Sequence, residues 1–444
     1  MIFLKDKYNV LCLFLYLISL LSFYFFDISK EHKVILYIIV FGVNFVMYVI
    51  LYLRNREIEF GKDDVKWVLF AAIVLKLVLI MHEPVTSDDY YRYLWDGKVQ
   101  SEGTDPFLYS PLELAEIHDE VIYPNVSFPE IKTIYPPVSQ IIFYAGYLIS
   151  PHSTAGLKII YLIFDIGIML FLLDCLKKLH LRSSAIILYA FSPLIILEFF
   201  LNAHIDIVLI FFLSGCIYFT INKNIPLSLL FLGLSILSKT YSLMFLPILL
   251  LYLYRSEISL IRILKNILFF FLPFSIVYIY REGIMNIFQV MGNYMTHWYS
   301  NNLIYKIILF LSELTGFNDH AVTRKILLIL SVISYFIIIF SKFEFVKKIT
   351  FILIFYFLFT HTVHPWYLCV LVMLLPLYLS YTSFYWTGII ALTNLTVFYY
   401  LSTGVWEDVF QVMLIEYIGV MIFIFIDFKK IAKDRLLTQN EIII

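Results

Sequence analysis

Residues 34–53 read VILYIIVFGVNFVMYVILYL, twenty positions without a charge, flanked by Lys33 and Arg54. At about 1.5 Å of helix rise per residue, such a run crosses the ~30 Å hydrocarbon layer of a bilayer. Working outward, comparable apolar runs recur at 9–26, 67–81, 157–174, 183–200, 204–221, 225–238, 241–254, 264–280, 325–340, 347–360, 367–380, 383–401 and 410–427. The whole chain of 444 residues is 61% hydrophobic, 19% aromatic and only 15% charged. No single water-soluble core of this length could bury so much apolar surface. The runs are solidly apolar and lack the period-2 alternation of barrel strands, so the sequence predicts an all-α polytopic membrane protein of about a dozen or more spans.

The net charge of −1 gives no electrostatic footprint for nucleic acid or for an unusually acidic partner. Cys12, Cys175, Cys216 and Cys369 are scattered in or beside apolar runs without CxxC spacing, so they read as packing residues. The first span lacks an Ala-x-Ala cleavage pattern and is expected to stay as a signal anchor. No Gly/Ser- or Pro-rich linker, low-complexity block or internal repeat appears. The expectation is one transmembrane catalytic domain over 1–444, with polar loops near 82–136 and 281–324.

Lysine and arginine near span ends set the orientation. Lys5 and Lys7 place the N-terminus inside, as do Arg54, Arg56, Lys62 and Lys66 for the second connection. Residues 82–136 then fall on the opposite face, where acids outnumber the basic residues. Later clusters at Lys177, Lys178 and Arg182, at Arg255, Arg262 and Lys265, at Lys342, Lys347 and Lys348, and at Lys429, Lys430, Lys433 and Arg435 keep this parity on one condition. The stretch 138–150 must be re-entrant or interfacial. Both polar loops are thus predicted to be extracytoplasmic, in a multi-pass membrane for which the bacterial inner membrane is the first candidate.

Residues 87–111, SDDYYRYLWDGKVQSEGTDPFLYSP, gather acids, an arginine and aromatics in an otherwise oily chain. Carboxylates beside a span are costly unless they meet water, a cation or a substrate. A helix over 88–100 would set Asp88 and Arg92 at i,i+4, Asp89 beside Tyr93, and Arg92 beside Asp96. The plain alternative is a surface ion-pair ladder, at about 0.3–0.5 kcal/mol per pair. Pro106, Pro111, Pro124 and Pro129 cut the rest of the loop into short pieces suited to a headgroup zone.

The run DDYYRYLWDG (88–97), followed by GTDPFLYSP (103–111) and TIYPP (133–137), resembles the first extracytoplasmic loop of GT-C fold glycosyltransferases that use polyprenyl-phosphate sugars. Bacterial mannosyltransferase-like integral membrane proteins are nearest in pattern, and the GPI mannosyltransferase I group and the lipid A aminoarabinose transferases are more distant. The resemblance covers residues 82–150 most clearly. It implies a GT-C-like helical bundle, short interfacial helices in the first loop, and a catalytic aspartate mapping to Asp88 or Asp89. The two acids are adjacent here, whereas the GPI group separates them by one residue, so which one is the base stays open.

The chemistry asks for few parts. An enzyme facing away from the cytosol cannot draw on nucleotide sugars, so a lipid phosphate must carry the activated sugar to it. That ester already has an anionic leaving group, so one base and one phosphate cradle suffice, without the second acid of a glycosidase. Arg92 offers planar donors matched to phosphate oxygens. Lys239, in LSKTYS, is a second phosphate candidate or a snorkelling interfacial lysine, and Tyr93, Asp96 and Tyr135 are candidates to touch substrate. His204 and Asp206 in NAHID would grip sugar hydroxyls, or form an ordinary polar turn. His364 in HTVHPWYL is a secondary binding candidate within what is otherwise an aromatic belt.

No metal is assigned, because His204 and Asp206 alone do not make a ligand set; a divalent ion is left open without support. Asn125 in NVS is a glycosylation acceptor only in a secretory pathway. The expected reaction moves a hexose, with mannose the first candidate, from a polyprenyl-phosphate sugar to a lipid-linked or glycan hydroxyl with inversion. Membrane lipid, that donor and a glycan or glycolipid acceptor are the expected partners, and the sequence specifies no protein partner. A secondary transporter would set charges or broken helices near the bilayer midplane, and a glycan polymerase or ligase would carry arginines in late outer loops. Neither pattern is evident here.

Overall fold

The computed structural model describes residues 2–441 apart from 118, 257, 315, 317 and 318, with side chains of the last helix described to residue 433. The described residues contain no β-strand, only an isolated bridge between Ser300 and Thr362. The chain divides into two compact units, Met1–Trp298 and Tyr299–Ile444.

In the first unit, α1 (Lys7–Phe25) packs on α2 (Lys30–Asn55), and α3 (Lys62–Leu77) leads to the polar loop. There the sequence folds α4 (Asp89–Ser101), close to the predicted 88–100. Then come α5 (Pro137–Ile149) and α6 (Ala155–Lys178). The pair α7 (Ser183–Ala190) and α8 (Pro193–Leu201) meets at a bend of 44°. The first unit closes with α9 (Asp206–Ile221), α10 (Ile225–Ile236), α11 (Thr240–Arg255), α12 (Leu260–Tyr280) and α13 (Asn286–His297).

Six helices among the described residues are long and apolar enough to cross a bilayer unaided: α1, α2, α6 and α12, with α15 (His320–Phe340) and α20 (Phe410–Glu441) of the second unit. Their outward faces are apolar, as at Leu268 (72% exposed) and Phe340 (68% exposed), a surface that water would penalise and lipid accepts. This is a multi-pass all-α membrane protein. The other predicted spans form shorter helices, such as α10 with 12 residues, or broken ones such as α7 and α8. At 13 residues, α5 is about 20 Å long and falls short of the hydrocarbon layer. Apolar runs mark burial in lipid or protein alike, and among the described residues fewer of them form single helices of full crossing length than the sequence predicts.

Close backbone approach positions the loop. A Cβ on Gly97 of α4 would stand 2.5 Å from the Phe143 carbonyl oxygen of α5, and one on Gly156 of α6 2.1 Å from the Gly146 carbonyl of α5. Glycine lets α4, α5 and α6 stack without side chains between them at these points. Below the loop, Lys76 Nζ meets Asp165 at 2.5 Å, both fully buried, and the Tyr189 hydroxyl donates to the same carboxylate at 2.9 Å.

In the second unit, α14 (Leu303–Leu314) precedes α15, which pairs with α16 (Phe345–Phe359). After them come α17 (Pro365–Leu374), α18 (Tyr381–Ile389) and α19 (Asn394–Thr403), and α20 packs along α18.

Candidate active site

Asp88 precedes α4 and Asp89 opens it, so both acids sit at the partially positive end of the helix. The helix closes at Gly103, whose φ of +79° lets Thr104 N–H return to the Val99 carbonyl at 3.1 Å. Asp88 is exposed and accepts a hydrogen bond from Ser127. Asp89 is half-buried, and among the described residues no donor lies within hydrogen-bond distance of its carboxylate. Burial, and then the charge of Asp88, push the Asp89 carboxyl up to about 7.

The polar turn after α8 lies against this acid. Asn202 accepts from the backbone N–H groups of Val85 and Thr86 at 3.1 and 3.2 Å and donates to the Thr86 hydroxyl at 2.7 Å, tying the start of the loop to NAHID. His204 Nδ1 then stands 3.9 Å from Asp89 Oδ2. Asp206 begins α9 and pairs with Lys239. Lys239 is delivered by α5, since Val138 N–H and the Ser139 hydroxyl bond to the carbonyls of Leu237 and Ser238 at 3.0 and 2.9 Å. The chain thus brings Asp89, His204, Asp206 and Lys239, separated widely in sequence, to one place.

Arg92 does not pair with Asp88. It bonds Asp96 through Nε at 2.9 Å and the Ile131 carbonyl through Nη1 at 2.9 Å, while Nη2 is buried with no hydrogen-bond partner among the described residues. Asp96 is 1% exposed and also accepts from the Thr133 hydroxyl and the Gln140 amide. Tyr93 is likewise 1% exposed, stacked on Phe143 and met edge-on by Tyr135. These contacts make Asp96 and Tyr93 braces inside the loop. Tyr135 is half-buried, and burial followed by the charge of Asp89 holds its phenol well above the ordinary value, as a neutral hydroxyl. His364 belongs to the second unit, where it stacks on Trp366 at 4.4 Å.

Outside the residues that the sequence singles out stands Glu198, a fully buried acid in α8 whose carboxylate accepts from the Tyr37 hydroxyl and faces His204 Nε2 at 3.4 Å. The signal was present: a lone carboxylate inside an apolar run is costly unless it has a task. Ser127 and Gln140 carried no such signal, because their partners are distant in sequence.

Residues 18–255 match the N-terminal domain of a family described as Alpha-(1->6)-mannopyranosyltransferase. This chain belongs to that mannopyranosyltransferase family. The match takes in α4, the NAHID turn and Lys239, so every residue gathered around Asp89 lies inside it. As a member of the mannopyranosyltransferase family, the chain is a membrane glycosyltransferase. A search of curated proteins gave no match. Among the described residues no group of three or more His, Cys, Asp or Glu has the geometry to hold a metal ion.

Proposed function

We propose that the protein transfers a hexose, mannose first, from a polyprenyl-phosphate sugar to a hydroxyl of a glycan or lipid-linked glycan, on the extracytoplasmic face of a bacterial inner membrane and with inversion, in a GT-C-type catalytic domain. The observation that carries this reading is Asp89: an acid without a hydrogen-bond donor among the described residues, beside a lysine, in a mannosyltransferase family member.

Asp89 is the general base. The acceptor O–H bond breaks as its oxygen attacks the anomeric carbon, the proton passes to Asp89, and the bond from that carbon to the phosphate oxygen breaks. The electron pair leaves with the polyprenyl phosphate. A base titrating near neutral pH suits this task. Lys239, backed by Arg92 whose buried Nη2 has no hydrogen-bond partner among the described residues, receives the phosphate charge, and Asp206 holds Lys239 in place. Asp88, tied to Ser127, shapes the site and raises the basicity of Asp89. His204 serves Asp89 and Tyr135 borders the acceptor.

The test uses purified full-length protein in lipid nanodiscs with a labelled polyprenyl-phosphate mannose and a mannoside acceptor. Release of polyprenyl phosphate that requires Asp89 supports the reading. Passage of the intact donor across a vesicle membrane without bond cleavage overturns it in favour of a transporter. Labelling a cysteine placed at Glu102 with an impermeant reagent in intact cells locates the loop, and protection there overturns the extracytoplasmic assignment.

A further inference from the structure

The acids around Asp89 outnumber the cations. Asp88 stands just before α4 and Asp89 opens it, Glu198 comes from α8 and Asp206 from α9, whereas Lys239 is the one lysine or arginine in an ion pair with any of these four acids among the described residues. Arg92 is committed to Asp96 and Lys76 to Asp165. Four ionised carboxylates against one ammonium, two of the four nearly or fully sealed from solvent, is an arrangement a protein interior does not sustain without protons or cations.

His204 is built into the middle of this excess. It is fully buried, with Nδ1 3.9 Å from Asp89 Oδ2 and Nε2 3.4 Å from Glu198 Oε2. Its backbone N–H bonds the Glu198 carbonyl at 3.0 Å, which fixes the ring over the last turns of α8. Those turns, Ile196–Leu201, are wound as a π-helix, a rare winding that concentrates at functional sites, and Ala203 beyond them takes a left-handed φ of +61°. The Tyr37 hydroxyl donates to the other Glu198 oxygen, and Oε2 faces the imidazole while also accepting from the Asn202 amide at 3.5 Å. Phenols also face the site: Tyr93 on α4, Tyr135 before α5, and Tyr161 on α6, whose hydroxyl bonds the Ala203 carbonyl at 3.3 Å.

We infer that Glu198 and His204 hold one proton between them and act as positioning residues for Asp89, the imidazolium keeping the Asp89 carboxylate ionised and aimed while Glu198 keeps the imidazole charged. The inference rests on Asp89 being the base proposed above. The pair's proton stays in place through turnover, and the proton taken from the acceptor leaves through the exposed side of Asp89. Glu198 is therefore required though it lies one residue layer from the reacting atoms.

The readout is the acidic limb of the kcat/KM profile of the full-length enzyme in nanodiscs. Glu198→Gln removes the charge that sustains the imidazolium, so Asp89 loses its cationic neighbour and the limb moves to higher pH by about one unit. His204→Gln moves it in the same direction. Because both changes remove the same device, the double variant shifts no further than either single one. Glu198→Asp, which keeps the charge, restores most of the wild-type midpoint. A merely structural Glu198 would lower the rate at every pH and leave the midpoint alone, and that result overturns the inference. His204→Gln keeps it open to refutation should Glu198→Gln fail to fold. An active Asp89→Asn enzyme refutes the base assignment instead, whereas an inactive one with unmoved limbs in both other variants refutes only the pair.

Discussion

Two buried polar regions of this protein treat a carboxylate in opposite ways. In the second unit, Asp427 of α20 is fully buried and accepts four hydrogen bonds, from the Ser380 and Thr382 hydroxyls at 2.7 and 2.8 Å and from the Tyr381 and Thr382 N–H groups at 2.9 and 3.0 Å. It serves as the N-terminal cap of α18, supplied from another helix. Glu416, earlier in α20, accepts from the Trp386 indole at 2.6 Å and from Asn301 at 3.1 Å. In the first unit, Asp89 has no such donors among the described residues, stands among like charges, and keeps 38% of its side chain exposed. A satisfied carboxylate lowers the energy of the fold, while an unsatisfied one is free to accept a proton. The difference separates supports from chemistry more sharply than burial alone does.

The largest break of this comparison comes from the acids themselves. Asp89→Asn is expected to lower kcat by about 10³-fold with the protein still folded, since a positioned base contributes that order. In the second unit, Asp427→Ala orphans four donors and is expected to cost about 2–4 kcal/mol, read as a lower melting temperature in detergent. If Asp427→Ala abolished transfer at unchanged stability, or Asp89→Asn unfolded the protein, the roles would be reversed.

Gly97→Ala tests the scaffold beneath the site. Its Cβ would meet the Phe143 carbonyl at 2.5 Å and Tyr147 Cβ at 2.7 Å, so α4 must lift from α5. A loss of about 1–3 kcal/mol is expected, with transfer falling alongside it. Lys239→Ala should raise the donor KM roughly tenfold, the worth of one charged hydrogen bond, and leave the acceptor KM unaltered. An unchanged donor KM would reduce Lys239 to a partner of Asp206.

The smallest effect sharpens the contrast through pH. The Asp89 carboxyl is raised from 3.8 to about 7, by burial first and then by Asp88, so its ionisation disfavours the folded state progressively from pH near 4 and fully above about 7. Asp89→Asn should therefore raise the melting temperature modestly at pH 8 and hardly at all near pH 4. Wild-type activity should rise through about pH 7 over the same range, because the base must lose its proton first.

Much of this was legible in the chain. Residues 34–53 and the other apolar runs fix a helical membrane protein, because only helix or closed barrel satisfies backbone groups in lipid and the pattern is not that of a barrel. The pair Asp88 and Asp89, the NAHID turn and Lys239 were marked by the cost of charge beside a membrane. The i,i+4 partner of Arg92 was ambiguous, since Asp88 and Asp96 lie equally far along the helix; contact with Ile131, Thr133 and Gln140 decided for Asp96.

By itself the sequence determined composition and periodicity, hence helices, lipid-facing surface and the polar segments that cannot lie within hydrocarbon. Only the tertiary structure decided which carboxylate is left without donors. Solvation of a charge depends on neighbours within a few ångströms, and at Asp89 those neighbours, His204, Asp206 and Lys239, come from elements more than a hundred residues away.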